Sequence, residues 1–187
     1  MDKITVLIRT KNEEQWIGHC IQSVLDNINN PEIIILDNNS KDRTIEIARN
    51  FLHDKTLKNT RSRSYSDIKF INIANYTPGR SLNVGVKKSK NEYIMIISAH
   101  CVISKIDMKK LKFNLKKNVC VFGNQNPVFF GKKILKRYIW SHFVEKKVEN
   151  MYSKLEKRYF LHNAIAVYKK SFLKKNNFDE NLAGKED

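Results

Sequence analysis

The sequence predicts an α/β protein built on a mostly parallel, doubly wound sheet. Three short apolar runs, Ile4-Thr5-Val6-Leu7-Ile8, Glu32-Ile33-Ile34-Ile35-Leu36 and Tyr93-Ile94-Met95-Ile96-Ile97, are too brief for buried helices and suit strands covered on both faces. They alternate with stretches of helical period, as the strands of a parallel sheet do. Each run also ends in a polar loop, and open α/β sheets bind ligands beyond the carboxyl ends of their strands. The run from Tyr93 ends at Ser98-Ala99-His100-Cys101, where the chemistry is expected.

The elements follow in order. After the first strand comes the loop Arg9-Thr10-Lys11-Asn12-Glu13-Glu14, then an amphipathic helix through Trp16, Ile17, Cys20, Ile21, Val24 and Leu25, broken at Asn30-Pro31. The second strand ends at Asp37-Asn38-Asn39-Ser40. A second helix through Ile45, Ile47, Ala48, Phe51 and Leu52 follows, with Ser40 as its expected N-cap. Residues 54–67 are polar and lack periodicity, which reads as a loop before a short strand Ile68-Lys69-Phe70-Ile71. Thr77-Pro78-Gly79-Arg80 starts a third helix with Pro in its first turn. Beyond His100 the pattern predicts a basic helix from Asp107 to Lys117, a strand over 119–123, a long basic helix over 132–150, a strand over 164–168 and a short helix before the tail. No repeat or linker divides the chain, so 1–187 reads as one domain.

Composition bounds the function. A chain of 187 residues, 41% hydrophobic and 29% charged, is globular and large enough for one sizeable core. No apolar run nears the roughly 18 residues of a membrane span, and the N-terminus lacks a signal-peptide pattern, so a cytoplasmic protein is expected. Cys20, Cys101 and Cys120 form no CxxC pair, which points to reduced thiols and excludes an all-cysteine zinc site. Cys20 and Cys120 are expected as small core residues. Net charge is +16, and it is uneven: residues 1–98 carry 15 Lys and Arg against 11 Asp and Glu, residues 99–187 carry 20 against 8. A basic second half suits a phosphate-rich ligand, an anionic polymer or an acidic membrane surface, and equally suits lysines that only decorate solvent faces.

The loops at Thr10–Glu13 and Asp37–Ser40 should lie side by side. A carboxylate after the second strand can accept from a ribose hydroxyl or a base N–H, although Asp37 can also serve as a turn-forming residue. The first loop contains no glycine, which excludes a dinucleotide GxGxxG turn and a Walker-type phosphate loop.

With these residues in view the chain resembles glycosyltransferase family 2, with its GT-A fold. The resemblance is carried by Ile8-Arg9-Thr10-Lys11-Asn12-Glu13-Glu14, by Ile34 to Thr44 around Asp37-Asn38-Asn39-Ser40, by Pro78-Gly79-Arg80-Ser81-Leu82-Asn83-Val84-Gly85 with Asn91-Glu92-Tyr93, and by Phe178-Asp179-Glu180 with Glu186-Asp187. It implies inverting transfer of a sugar from a nucleoside diphosphate donor to an acceptor hydroxyl, saccharide or lipid-linked, in assembly of a surface polysaccharide such as capsule, O-antigen or lipopolysaccharide. By position, Thr10, Asn12, Glu13, Asp37, Asn38 and Ser98 would hold the nucleotide sugar, with Arg80 and Asn83 near its phosphates. Asp187, with Glu186 beside it, would be the general base. The resemblance makes 1–101 the nucleotide-sugar-binding half and 102–187 the acceptor and catalytic half. Members of the family continue past this point with further helices, so the chain reads as a domain truncated at its C-terminal end or as a naturally shortened, inactive protein.

The departure lies where the family has Asp-x-Asp, here Ser98-Ala99-His100. Those aspartates ordinarily bind a divalent cation that neutralises the departing diphosphate. Ser and His weaken the case for Mg²⁺ and favour Mn²⁺ or no metal. His100 therefore reads as a metal ligand, as a direct partner of the diphosphate, or as a filler of the strand end, and Cys101 as a soft ligand or a buried thiol. Ser-Ala-His-Cys resembles a subset of the family that carries it in this place, in which Gly123-Asn124-Gln125-Asn126-Pro127 and Leu161-His162-Asn163-Ala164 also have counterparts. Gln125, His162 and Asn163 become candidates for contact with donor sugar or acceptor. The basic helix expected over 132–147 reads as a core stripe with a solvated face, or as a surface resting on an anionic bilayer at the inner face of the membrane. The competing reading is a binding module without turnover, a GT-A relic or a basic nucleic-acid-binding protein. Nucleic acid is disfavoured because Tyr138, Trp140, Phe143 and Tyr152 have core-like helical spacing.

Overall fold

The computed structural model describes residues 3–52, 68–129, 131–133, 148–154, 157–159, 161 and 163–182. The strands are β1 (Ile4–Thr10), β2 (Glu32–Asp37), β3 (Ile68–Asn72), β4 (Tyr93–Ser98), β5 (Cys120–Phe122), β6 (Val128–Phe129), β7 (Lys132–Lys133), β8 (Tyr152–Ser153), β9 (Arg158–Tyr159) and β10 (Ile165–Lys169). The helices are α1 (Ile17–Asn27), α2 (Thr44–Arg49), α3 (Pro78–Lys88), α4 (Met108–Lys117) and α5 (Lys170–Lys175).

Six strands form the main sheet in the order β3-β2-β1-β4-β10-β5. β3, β2, β1 and β4 run parallel, and β10 is antiparallel to both β4 and β5. The run from Tyr93 is thus central, with Ile94 to Ile97 fully covered between β1 and β10. Alternate residues of each strand face opposite layers, the period of a pleated strand. On one face Val6, Ile8, Ile33, Ile35, Met95 and Ile97 pack with α1, α2 and α4. On the other Leu7, Ile34, Leu36, Ile94 and Ile96 pack with α3 and α5. Helices on both faces make the sheet doubly wound, as expected. α3 lies so close to the sheet that a Cβ on Gly85 would stand 2.8 Å from Leu7 Cδ1 and 2.9 Å from Leu36 Cδ1.

Several local expectations are corrected. Ser40 does not cap α2; its hydroxyl faces Asp37 and the first loop, and the helix begins four residues later at Thr44. Trp16 stands just ahead of α1 and is half exposed instead of joining its buried stripe. Lys132–Lys133 pair with Val128–Phe129 as a small hairpin instead of opening a helix, and 148–150 are not helical. Residues 134–147 and the loop expected over 54–67 fall outside the described residues. Pro78 stands in the first turn of α3 as expected; Thr77 caps that helix, its Oγ1 accepting from the Arg80 N–H at 3.2 Å, and Asp107 caps α4 in the same way. Cys20 is a buried core residue, Cys101 and Cys120 are partly covered, and all three are free thiols.

Candidate functional site

The carboxyl ends of β1, β2 and β4 meet along one edge of the sheet. Thr10 pairs with Asp37 across the β1–β2 ladder, and the Asn38 N–H donates to the Thr10 carbonyl at 2.9 Å. The two loops beyond are stitched to each other. Asn12 N–H donates to Ser40 Oγ at 3.0 Å, Lys41 N–H to Asn12 Oδ1 at 2.8 Å, and Glu13 N–H to Thr44 Oγ1 at 2.7 Å. Glu14 and the second loop bond reciprocally, with Glu14 N–H donating to Asp42 and Arg43 N–H to Glu14. Asn12 and Asn39 both turn through left-handed backbone, φ 53° and 54°, a conformation Asn tolerates better than most residues. The loops expected side by side are therefore one joined surface.

Within it Asp37 is nearly buried, and its carboxylate accepts the Ser40 hydroxyl at 2.6 Å and the Ser40 N–H at 3.1 Å. This is the turn-forming use weighed for Asp37, and a carboxylate with about four acceptor sites keeps capacity for a ligand. Asp42 is bonded by the Thr44 hydroxyl and backbone; slight burial opposes ionisation, and these bonds outweigh it and hold the carboxyl below its ordinary value. Thr10 is 4% exposed, and its hydroxyl has no hydrogen-bond partner among the described residues.

β4 delivers Ser98, Ala99 and His100 between these loops and β10. Ser98 N–H donates to the Ala164 carbonyl at 3.1 Å and Ala99 N–H to the Arg9 carbonyl at 3.2 Å, so the turn is held from both sides. His100 is exposed, and its Nδ1 lies 3.0 Å from Glu13 Oε1, a contact that orients the ring and engages one of its two nitrogens. Behind it the Cys101 thiol is pushed up to about 11 by burial and by the Glu13 charge, so it stays protonated at neutral pH.

The other half of the edge comes from β5 and β10. Gly123 N–H donates to the Ile165 carbonyl at 2.9 Å, carrying the strand on toward Gln125. Asn163, 2% exposed, sits ahead of β10; its Oδ1 accepts from the Tyr168 hydroxyl at 2.5 Å. The Nδ2 of Asn163 and the Nε2 of Gln125 are both buried without a hydrogen-bond partner among the described residues. Tyr168, which pins the Asn163 carboxamide, was not anticipated; the five-residue separation carries no helical or strand signal. Thr44, which the sequence shows only as the end of a motif, braces Glu13, and its hydroxyl adds one of the bonds that join the two loops.

Arg80 lies in the first turn of α3, and that turn stands at the carboxyl edge because Ile73, just beyond β3, bonds to Asp37. Asn83, expected near the phosphates, instead directs both ends of its carboxamide to Phe178 and Glu180. His162, Glu186 and Asp187 lie outside the described residues. For a divalent cation the fit is poor as a protein cage: Glu13 and His100 bond each other, and no group of three His, Cys, Asp or Glu side chains converges among the described residues. No step is derived through a metal.

Comparison with known proteins follows this geometry. The family described as Glycosyl transferase family 2 matches residues 5–176. A Haemophilus influenzae protein described as an uncharacterized glycosyltransferase is 28% identical over 128 residues, covering 66% of this chain and 47% of its own length. A poly-beta-1,6-N-acetyl-D-glucosamine synthase of Staphylococcus epidermidis is 30% identical over 105 residues, 55% of this chain and 23% of that protein. The chain thus spans about half or less of the length of these relatives. Among solved structures, S. aureus TarS 1-349 in complex with UDP superposes with a TM-score of 0.69 at 18% identity, over 98% of this chain and 52% of that one. A mannosyltransferase from Pyrobaculum calidifontis in complex with GDP-Man and Mn²⁺ gives 0.59 at 13% identity, over 97% and 48%. At such identities the structural likeness establishes the fold, which is GT-A-like.

Proposed function

The chain belongs to glycosyl transferase family 2, and we propose that it transfers a sugar from a uridine diphosphate donor to an acceptor hydroxyl with inversion. The observation that carries this reading is the joined surface of the β1 and β2 loops, with Asn38 bonded to Thr10 and a buried, unpartnered Thr10 hydroxyl at its centre. Uridine is favoured because UDP and UDP-GlcNAc are bound by the similarly folded TarS. The nucleoside lies against Thr10, Asn12, Glu13, Asp37 and Asn38, and the diphosphate runs toward Ser98, Arg80 and His100. Arg80 brings a permanent positive charge to the leaving group. His100, oriented by Glu13, presents Nε2 to the same end, in the place the family gives to Asp-x-Asp. Gln125 and Asn163, with His162 beside it in sequence, offer amide donors to sugar hydroxyls, which would satisfy the two buried amide nitrogens.

In the reaction the acceptor oxygen attacks the anomeric carbon and the bond from that carbon to the diphosphate breaks. The acceptor proton passes to a carboxylate, and the resemblance gives that role to Asp187 with Glu186 adjacent. The acceptor is a saccharide or a lipid-linked saccharide of a surface polysaccharide, supported by the poly-N-acetylglucosamine synthase relative. Peripheral contact with an anionic membrane is supported by α4, where half-exposed Phe113 has Lys109, Lys110, Lys116 and Lys117 three or four residues away on the outward face. No helix among the described residues is long and apolar enough to cross a membrane.

Calorimetric titration with UDP, GDP, CDP and dTDP tests the reading, each in EDTA, Mg²⁺ and Mn²⁺ and again with His100→Ala. Saturable UDP binding weakened by His100→Ala is expected. Dependence of that binding on Mn²⁺ would make His100 Nε2 a ligand, and indifference to metal would make it a phosphate donor. Binding to none of the four nucleotides would overturn the proposal.

A further inference from the structure

α1 carries polar side chains on a flank that its apolar period would leave to the core. Cys20, Ser23 and Asn27 are three and four residues apart, which puts them on one side of the helix. Cys20 and Ser23 are buried, as are Ile17, Ile21 and Val24 around them. A buried polar group is costly unless it is bonded, and all three side chains bond to the segment that leaves β4. Ser23 Oγ accepts the Ile103 N–H at 3.0 Å and donates its own proton to the Cys20 carbonyl at 2.8 Å. Asn27 Nδ2 donates to the Ile103 carbonyl at 3.2 Å and to the Ser23 carbonyl at 2.9 Å, which uses both of its protons. Both backbone groups of Ile103 are therefore met by side chains of one helix. Five residues earlier the Cys20 thiol, a weak donor, lies 3.8 Å from the Ser98 carbonyl.

Between these anchors runs Ala99-His100-Cys101-Val102. The start of this loop is held by the Ala99 N–H on the Arg9 carbonyl and by the Cys101 N–H on the Ser98 carbonyl. Its end is held by the Ile103 side chain, 7% exposed, and by the two bonds from α1. Burial of an apolar side chain is non-directional; it sets depth and leaves rotation open. Hydrogen bonds are directional, so a donor and an acceptor placed on the two sides of one residue set its backbone orientation. His100 stands exposed three residues ahead of that anchor, where Glu13 meets it from the β1 loop. A loop tied at its start passes any movement of its end to the residues between, and His100 is one of them.

We propose that Ser23 and Asn27 are positioning residues which, by fixing Ile103, set the loop that carries His100 at the donor site. The consequence for the donor rests on the transfer reading above. Neither residue lies in the motifs by which the chain resembles its family, and they place α1, otherwise a core helix, behind the strand end where Ser98-Ala99-His100 replaces the paired aspartates.

The test compares wild type with Ser23→Ala, Asn27→Ala and His100→Ala, and with each α1 variant combined with His100→Ala. Amide exchange followed by NMR needs no nucleotide. At Ile103 it should rise about ten-fold or more in Ser23→Ala, and by a smaller factor in Asn27→Ala, which leaves that N–H its acceptor. Calorimetry should show UDP bound about three-fold more weakly, or worse, by each α1 variant, with no further loss when the same change is made in His100→Ala. A residue that serves the fold alone would weaken both backgrounds alike or neither, and either result would overturn the proposal. Unchanged exchange at Ile103 in Ser23→Ala would do the same. UDP binding indifferent to His100→Ala would remove the residue for which the loop is held, and the proposal with it. Asn27→Ala, at a half-buried position, reads the same comparison if Ser23→Ala fails to fold. Failure of wild type to bind UDP would sink the transfer reading, while exchange at Ile103 would still decide whether α1 holds the loop.

Discussion

At the amino end of the sheet the Glu32 carboxylate, 2% exposed, accepts from Lys69 Nζ at 2.5 Å, from the Thr5 hydroxyl at 2.6 Å and from the Lys90 N–H at 2.8 Å. Asn91 closes the cluster by donating backbone and side-chain N–H groups to Thr5 Oγ1. At the carboxyl end the Thr10 hydroxyl, the Gln125 amide nitrogen and the Asn163 amide nitrogen are also buried and have no such partner among the described residues. Both ends belong to the same strands, for Thr5 lies near the start of β1 and Thr10 is its last residue. A buried polar group left unmade costs about 1–3 kcal/mol, so the fold tolerates at one end what it avoids at the other. The amino end is a closed structural cluster; the carboxyl end holds buried polar atoms with no bond among the described residues, which is what the proposed ligand site requires.

The contrast breaks most visibly at Glu32. Glu32→Ala leaves Thr5, Lys69 and the Lys90 N–H without their shared acceptor and should lower stability by about 3 kcal/mol in urea unfolding, with UDP binding unchanged. A loss below about 1 kcal/mol would mean the cluster is not the structural partner of the carboxyl end. The opposite behaviour is expected of Thr10→Val, which removes an unpartnered hydroxyl at constant shape. Its stability should hold or rise by up to about 1 kcal/mol while UDP binding weakens about ten-fold, equivalent to about 1.4 kcal/mol. Equal losses of stability at Thr10 and Glu32 would erase the distinction. Between these lies Ser40→Ala, which removes a hydroxyl bonded to both Asp37 and the Asn12 N–H; calorimetry and urea unfolding should show about 1 kcal/mol less stability and a modestly weaker UDP complex.

The smallest effect is one of pH. Burial alone would raise the Glu32 carboxyl, yet the bonds from Lys69, Thr5 and the Lys90 N–H, with the Lys69 charge, outweigh it and hold it below its ordinary value of 4.5. A carboxyl depressed in the folded state contributes stability that is present above 4.5 and lost as pH falls through the lower folded value. Wild type should therefore lose stability across that acid window relative to Glu32→Gln, which has no proton to bind there. Parallel curves for the two proteins would show that the amino cluster does not depend on the charge.

Much of this arrangement is legible along the chain. Strands β1, β2, β3 and β4 and helices α1, α3 and α4 follow from apolar runs, helical period and the Pro in the first turn of α3, all of which act over a few residues. The polar ends of β1, β2 and β4 are equally local, and the family resemblance names Thr10, Asp37 and His100 from motifs alone.

What the sequence by itself determined was therefore the strands and helices of the parallel half, the doubly wound class and the edge at which a ligand is proposed, because those depend on periodicity and on short motifs. Only the tertiary structure decided how Ser40 and Asn83 use their polar atoms, since a hydroxyl or a carboxamide can serve several partners and the choice depends on what another segment brings near. Asn83 meets Phe178 across 95 residues, Asn12 meets Ser40 across 28, and Glu13 meets His100 across 87. The insertion of antiparallel β10 between β4 and β5 belongs to the same class. Its strand pattern was readable, but strand order is settled by which edge of the parallel sheet remains open when the last strand arrives, and no local pattern records that.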